Sequence, residues 1–301
     1  MPAGRPSLSS RPAMDAIRVN GLTKRYGDHV AVDGIAFSVE QGEAFGILGP
    51  NGAGKTTTLE MIEGLRPPDG GEVEVLGRRV WPDPRAVQGR IGVQLQSTTL
   101  FDRLTARELL ELFARFYDRS DGPDRAEHSL RLVGLESKAD AYAEDMSGGQ
   151  QQRLAIALAL VHDPDVVFLD EPTTGLDPQA RRNLWDVIRA INQEAGKTVV
   201  LTTHYLEEAE ELCDRVAIMD SARVIALDTP AGLVASLGAD VRISYVENGH
   251  ERVEYVPDAQ AAVLELLERA KRDGSRIESL LVRGPSLEDV FLRLTGREFR
   301  E

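Results

Sequence analysis

Gly49–Thr56 reads GPNGAGKT, preceded by the apolar run Ala44–Leu48 and followed by a helical segment over Thr57–Glu63. The spacing Gly-x4-Gly-Lys-Thr between a strand and a helix is the pattern of a phosphate-binding loop. Its glycines let backbone N–H groups turn inward around phosphate oxygens, where a side chain would stand in the way. The helix that begins here aims the positive end of its dipole at the same place. Gly49, Pro50, Asn51, Gly52, Ala53, Gly54, Lys55, Thr56 and Thr57 are therefore the candidate nucleotide-binding residues. In such a loop the lysine, Lys55, reaches the β- and γ-phosphates, and the Thr56 hydroxyl coordinates Mg2+.

Further along, Val166–Glu171 reads VVFLDE. Four apolar residues bury a strand and deliver two carboxylates at its C-terminal end, where ligands bind in parallel sheets. Asp170 is expected to hold Mg2+ through water, and Glu171 to polarise the attacking water. A strand that merely ends in an acidic turn before Pro172 would read the same way; the upstream loop decides between them.

The remaining pattern places these two segments in one α/β fold. Short antiparallel strands are expected from about Ile17 to Val39, broken at Gly21, Gly27 and Gly34, with an edge strand at Glu72–Leu76 and another strand at Ile91–Leu95. Helical periodicity runs from Thr105 to Leu135. The segment Ser147–His162 is apolar all round its later turns, as in a buried helix. Strands at Thr198–Thr202 and Val216–Met219 then alternate with helices at Arg181–Glu194 and Leu206–Leu212, which implies a mostly parallel sheet covered by helices. Composition shifts near Leu237–Asp240. Beyond it, strands at Val241–Val246, Arg252–Val256 and Ile277–Val282 and helices at Ala259–Arg272 and Leu287–Leu294 make a small α+β appendix. The expected divisions are a disordered lead-in over 1–14, a nucleotide-binding domain over 15–237 with a helical subdomain at about 97–162, and an accessory region over 238–301.

Composition narrows the function. The 301 residues carry 35 basic and 49 acidic side chains, a formal charge of −14, so no broad phosphate-tracking surface and no nucleic-acid partner is expected. Cys213 is the single cysteine and is expected to be a small buried helix residue; an internal disulfide is excluded and a reducing compartment fits. The longest apolar run, Leu154–Val161, is far short of the roughly 18 residues that span a bilayer. The N-terminal MPAGRPSLSSRPA lacks the apolar core of a secretory signal. If the protein works at a membrane, another chain is expected to supply the spans. Trp81 and Trp185 read as packing residues, and His29, His128, His162 and His250 as ordinary ones.

A third motif, Met146–Gln150 or MSGGQ, narrows the field further. Read physically, Ser147 and Gln150 form a capping box ahead of an apolar helix. The same helix end, with Gly148 and Gly149, makes a second anion site. Ser147, Gly148, Gly149 and Gln150 resemble the signature motif of ATP-binding cassette (ABC) ATPases, with Met146 where Leu is usual. Other elements match in order. Tyr26, in LTKRYG, resembles the aromatic that stacks on adenine. Gln96, in IGVQLQ, resembles the Q-loop glutamine that touches Mg2+ and senses the membrane partner, although Leu95 stands where the family usually has Pro and Gln94 competes for the role. Gly175-Leu176-Asp177 resembles the D-loop, with Asp177 at the dimer interface. His204, in TTHYLEEAE, resembles the switch histidine that contacts the γ-phosphate. The resemblance covers roughly residues 15–235.

What the resemblance implies is a P-loop ABC cassette in which two copies enclose two Mg·ATP, each between Lys55 of one copy and Ser147 of the other. Glu171 and His204 would carry hydrolysis. The chain would sit on the cytoplasmic side of a membrane, peripheral to a separate integral-membrane permease. The tail SLEDVFLRLTGRE resembles the end of the ATPase subunits of drug exporters of the daunorubicin/doxorubicin-resistance type, which favours efflux of a drug or lipid-like amphiphile. The rival readings are a non-transport ABC ATPase acting on ribosomes or nucleic acid, and the ATPase of an importer. A P-loop kinase would account for Lys55 but not for MSGGQ with His204.

Overall fold

Ala44–Leu48, Val166–Asp170 and Thr198–Thr203 are buried along their whole length, which only central strands of a doubly covered sheet can be. In the computed structural model, which describes residues 14–96, 100–101, 103–117, 121–238 and 241–296, they form the middle of a six-stranded sheet. Its order is Arg223–Asp228, Arg215–Asp220, Ala44–Leu48, Thr198–Thr203, Val166–Asp170, Ile91–Gln94. All neighbours run parallel except the hairpin of the first two strands. Apart from Met14, the lead-in expected over 1–14 lies outside the described residues.

A second, antiparallel sheet covers one side, in the order His29–Glu40, Asp15–Tyr26, Gly70–Val75, Arg78–Arg79. Its first two strands are each 12 residues long, not short pieces. Register shifts, such as that between Val19 and Leu22, take up the glycines as bulges while the ladder continues. Gly70–Val75 is not an edge strand, because the two-residue strand Arg78–Arg79 pairs beyond it. Between the sheets, Phe37 stacks on Phe45 at 5.2 Å, and Leu59, Met61 and Ile62 of helix Lys55–Ile62 complete the layer.

The opposite face carries helices Ala106–Phe116, Gly122–Leu132 and Gly148–Leu160. The first starts at a Thr105/Glu108 capping box. Helix Pro178–Arg189 begins three residues earlier than periodicity suggested, and wider turns over Ala190–Glu194 finish it. Cys213 is buried but follows its helix as an extended cap residue rather than lying within it.

Past 238, strands Val241–Glu247, His250–Val256 and Ile277–Arg283 form a three-stranded antiparallel sheet under helix Ala259–Asp273, with Ile243, Tyr245 and Leu266 as its own small core. The last helix, Leu287–Thr295, does not stay with that unit. Leu287, Val290 and Phe291 are buried in the same cluster as the helices of the nucleotide-binding part.

Candidate functional site

The loop after Ala44–Leu48 turns sharply into helix Lys55–Ile62 at Gly54, whose φ is 101°. A Cβ there would lie 2.3 Å from the Ala31 carbonyl oxygen, so glycine is required both by conformation and by space. The helix has no side-chain cap and no acidic residue in its first turn. Its leading N–H groups are thus left to an external anion. Tyr26, Asn51, Lys55, Thr57, Gln96 and Glu171 line an open cleft of about 280 Å3 at this point.

Within the cleft Lys55 is almost fully buried. Its Nζ donates to the Gly49 carbonyl at 2.9 Å and pairs with Glu171 Oε1 at 3.0 Å. Glu171 follows the end of strand Val166–Asp170 in a left-handed conformation, φ 47°, where a side chain is strained. Two bonds from its backbone N–H to Thr202, at 2.9 Å to Oγ1 and 3.2 Å to the carbonyl, fix that turn. Its second oxygen, Oε2, lies 3.3 Å from Gln96 Nε2, 3.3 Å from Thr174 Oγ1 and 3.1 Å from His204 Nδ1. Burial alone would raise this carboxyl; the Lys55 ammonium, then His204, overcome that and hold it below the usual range. Asp170 goes the other way: burial lifts it, against hydrogen bonds from Thr202 and Thr56.

The Thr56 hydroxyl donates to Asp170 Oδ1 at 3.3 Å. Two oxygen donors thus meet beside the phosphate loop, with the Gln96 amide on the neighbouring Glu171. An all-oxygen set of this kind suits a hard divalent cation, so these residues fit Mg2+. Of the two competing glutamines, Gln94 is buried in its strand and donates to the Leu95 carbonyl, whereas Gln96 reaches the cleft.

Tyr26 is 42% exposed beside the cleft, with the Lys24 ammonium 5.8 Å and the Arg66 guanidinium 5.4 Å from its ring centre. The signature segment does not line this cleft. Ser147 Oγ accepts from Gln150 N at 3.4 Å, and Gln150 Oε1 accepts from Ser147 N at 3.0 Å, closing the capping box. Gly148 faces open space, and a Cβ on Gly149 would approach Ala180 Cβ to 3.2 Å, so the signature helix and the helix after Asp177 touch there. Asp177 caps that second helix by accepting from Gln179 N and Ala180 N at 3.0 and 2.9 Å. One chain therefore brings Lys55, Thr56, Gln96, Asp170, Glu171 and His204 together, while Ser147–Gln150 and Asp177 do not line the cleft.

A family model described as ABC transporter matches residues 32–174. Nod factor export ATP-binding protein I of Paraburkholderia xenovorans (strain LB400) is 42% identical over 307 residues, covering 95% of this chain and 99% of that protein. The chain belongs to the ABC transporter family. The protein of the same name from Sinorhizobium fredii (strain NBRC 101917 / NGR234) is also 42% identical, over 98% of this chain and 90% of its own. Among solved structures, a dimeric ATP-binding cassette in a post-hydrolysis state, bound to ADP and phosphate, aligns with a TM-score of 0.64 at 30% identity, over 71% of this chain and 98% of that one. A subunit of an ABC transporter complex from Clostridium perfringens aligns with a TM-score of 0.68 at 28% identity, over 74% and 92%. The fold is thus that of a P-loop ABC ATPase cassette, an ATP-binding subunit of a family that hydrolyses ATP. These relatives are named for Nod factor export and not for the drug-resistance type that the tail resembles.

Sequence reasoning passed over several groups. Thr202 and Thr174 hold the two carboxylates, and Glu63 is buried near Asp170. The doubled threonine closing TVVLTT was the available signal, since a polar pair at the end of an apolar strand needs partners. Besides the phosphate cleft, an apolar groove of about 480 Å3 opens between Leu95, Phe101, Phe113 and Tyr117. Among the described residues no helix is long and apolar enough to cross a membrane.

Proposed function

We propose that this chain is the ATP-hydrolysing subunit of a multi-chain exporter, working as a homodimer against a separate integral-membrane permease at the cytoplasmic face. The observation that carries this reading is Glu171, held in a strained turn between Lys55 on one oxygen and His204 on the other. The names of the relatives support export, and the tail supports a drug or lipid-like amphiphile as cargo.

In the proposed cycle the backbone N–H groups of Gly49–Thr57 bind the phosphates of ATP and Tyr26 stacks on the base. Lys55 exchanges its carboxylate for the β- and γ-phosphates, which frees Glu171 Oε1 to accept a proton from water. His204 and Gln96, already on Oε2, orient the carboxylate and the terminal phosphate. Thr56, Asp170 and Gln96 would hold Mg2+, which supplies charge neutralisation at the phosphates. Ser147, Gly148, Gly149 and Gln150 of the other copy close over the same γ-phosphate, and Asp177 lies at the seam. ATP favours the closed dimer because both copies bind it there. The apolar groove beside Gln96, rimmed by the exposed Leu95 and Phe101, seats the permease and carries the motion to it.

The test is the Glu171→Gln protein isolated with Mg·ATP from membranes in mild detergent. The expected result is bound ATP, no turnover, a persistent dimer and a polytopic membrane protein in matching amounts. Rapid turnover would reassign the base. Ribosomal or DNA-bound partners without a membrane protein would favour a soluble ABC switch, and accumulation rather than extrusion of cargo by the reconstituted pair would favour an importer.

A further inference from the structure

Helix Pro178–Arg189, capped by Asp177, runs beside helix Leu206–Leu212, which Tyr205 joins to His204. Three side chains of the first helix, four residues apart and so on one face, each meet a residue of the second segment. The Arg181 guanidinium lies 4.0 Å from the centre of the Tyr205 ring. Trp185 Nε1 donates to Glu208 Oε1 at 3.2 Å. Arg189 pairs with Glu211.

The rungs are not equal. Arg189 and Glu211 are 34% and 52% exposed, so their pair is worth little. Trp185 and Glu208 are 5% and 0% exposed. A carboxyl fully withdrawn from water is tolerated only where partners hold it, and breaking such a contact leaves a buried polar group unsatisfied. Burial pushes this carboxyl up, and the nearby hydroxyls of Thr203, the residue before His204, and Thr173, two residues after Glu171, oppose that; Trp185 is the hydrogen-bond donor to Oε1, and Oε2 has none. Glu208 therefore lies close to the neighbours of both groups that position the reaction, yet it contacts neither phosphate nor water in the proposed cycle.

We infer that the Trp185–Glu208 pair is a positioning device that makes Asp177 and His204 move as one body, so that the dimer seam sets the placement of His204 on Glu171. The inference rests on the reading that Asp177 meets the partner copy and His204 the γ-phosphate. An ABC subunit built this way senses the arrival of its partner through the D-loop helix and passes the signal to the switch residue without a contact between the two sites.

ATP hydrolysis by the full chain, in wild-type and His204→Ala backgrounds, tests it. Glu208→Leu is expected to lower kcat about tenfold, the worth of one buried hydrogen bond, with the ATP KM within about twofold. Glu208→Gln keeps an acceptor oxygen in place and is expected to restore most of that rate. Trp185→Phe keeps an aromatic ring and removes the N–H donor, and gives a second measure if Glu208→Leu folds poorly. In the His204→Ala background Glu208→Leu is expected to add nothing. Equal losses in both backgrounds would overturn the inference, because the effect would not pass through His204; so would wild-type rates in both Glu208→Leu and Trp185→Phe. A wild-type rate for His204→Ala alone would instead overturn the role assigned to His204.

Discussion

Lys55 Nζ and Glu171 Oε1 lie 3.0 Å apart with only 4% and 6% of their side chains exposed, so the cation suited to phosphate and the proposed base are paired with each other. Each neutralises the other at the floor of the cleft, where little of either side chain meets water. In the proposed cycle nucleotide binding would therefore break a buried ion pair as well as make new contacts, and the two residues would change partners together.

Lys55→Ala is expected to abolish ATP binding and to destabilise the fold by about 3 kcal/mol at neutral pH, because Glu171 is left as an uncompensated buried charge. The sign follows from the depressed carboxyl. Its stabilising contribution is present above the ordinary glutamate range and lost as pH falls through the lower folded value. The penalty of the substitution should accordingly shrink toward acid. Urea melts at several pH values, with nucleotide titration by fluorescence, measure both; undiminished nucleotide affinity would remove Lys55 from the site.

Glu63 makes the opposite pH prediction. Burial first, then the charges of Asp170 and Glu60, push its carboxyl from 4.5 up to about 8. The folded chain holds that proton while the unfolded chain releases it, so stability falls between pH 4.5 and about 8 and levels off above. Glu63→Gln should erase this slope and raise the melting temperature more at about pH 9 than at about pH 5. An equal shift at both ends would mean that Glu63 is ionised throughout.

Two substitutions at Ser147 separate helix capping from dimer closure. Ser147→Ala should cost about 1 kcal/mol of stability through the lost cap. Ser147→Arg should leave ATP binding by the monomer intact and prevent the ATP-dependent dimer. Light scattering with Glu171→Gln as the closed reference distinguishes them, and a dimer that survives Ser147→Arg would rule out the two-copy site.

Phe291 tests whether the last helix is part of the main fold. It is 3% exposed within the large cluster, so Phe291→Ala should destabilise the whole chain by about 3–5 kcal/mol in a single transition. Melting of the tail alone, with the ATP-binding part unchanged, would mean that the two are independent.

Much of this was legible in the residues. Ala44–Leu48 and Val166–Leu169 are short, wholly apolar and followed by phosphate-loop and acidic signals, so strand, sheet type and site position come together. Other parts lacked a local cue. Strand Arg223–Asp228 pairs with Arg215–Asp220 through a turn at Ser221 and Ala222, with φ of 49° and 68°. Neither residue type marks a tight hairpin as Asn-Gly would. Helix Pro230–Ala235 is six residues long, too short for periodicity to declare itself. The apolar stripe Leu287, Val290, Phe291 announces a buried face but not which core receives it. Of Gln94 and Gln96, spacing alone could not choose, since what separates them is where the strand ends. The Trp185–Glu208 contact joins residues 23 apart, and each looks ordinary without the other.

The capping box at Ser147 has one more consequence. In accepting from Gln150 N, the hydroxyl uses a lone pair and keeps its hydrogen. Aspartate would end the helix equally well, but it has no proton to give and would repel an anion. A helix asks only for an acceptor at this spot, whereas a phosphate asks for a donor. Serine answers both, so, in the proposed closed dimer, a melting curve would pass an aspartate that the nucleotide would reject.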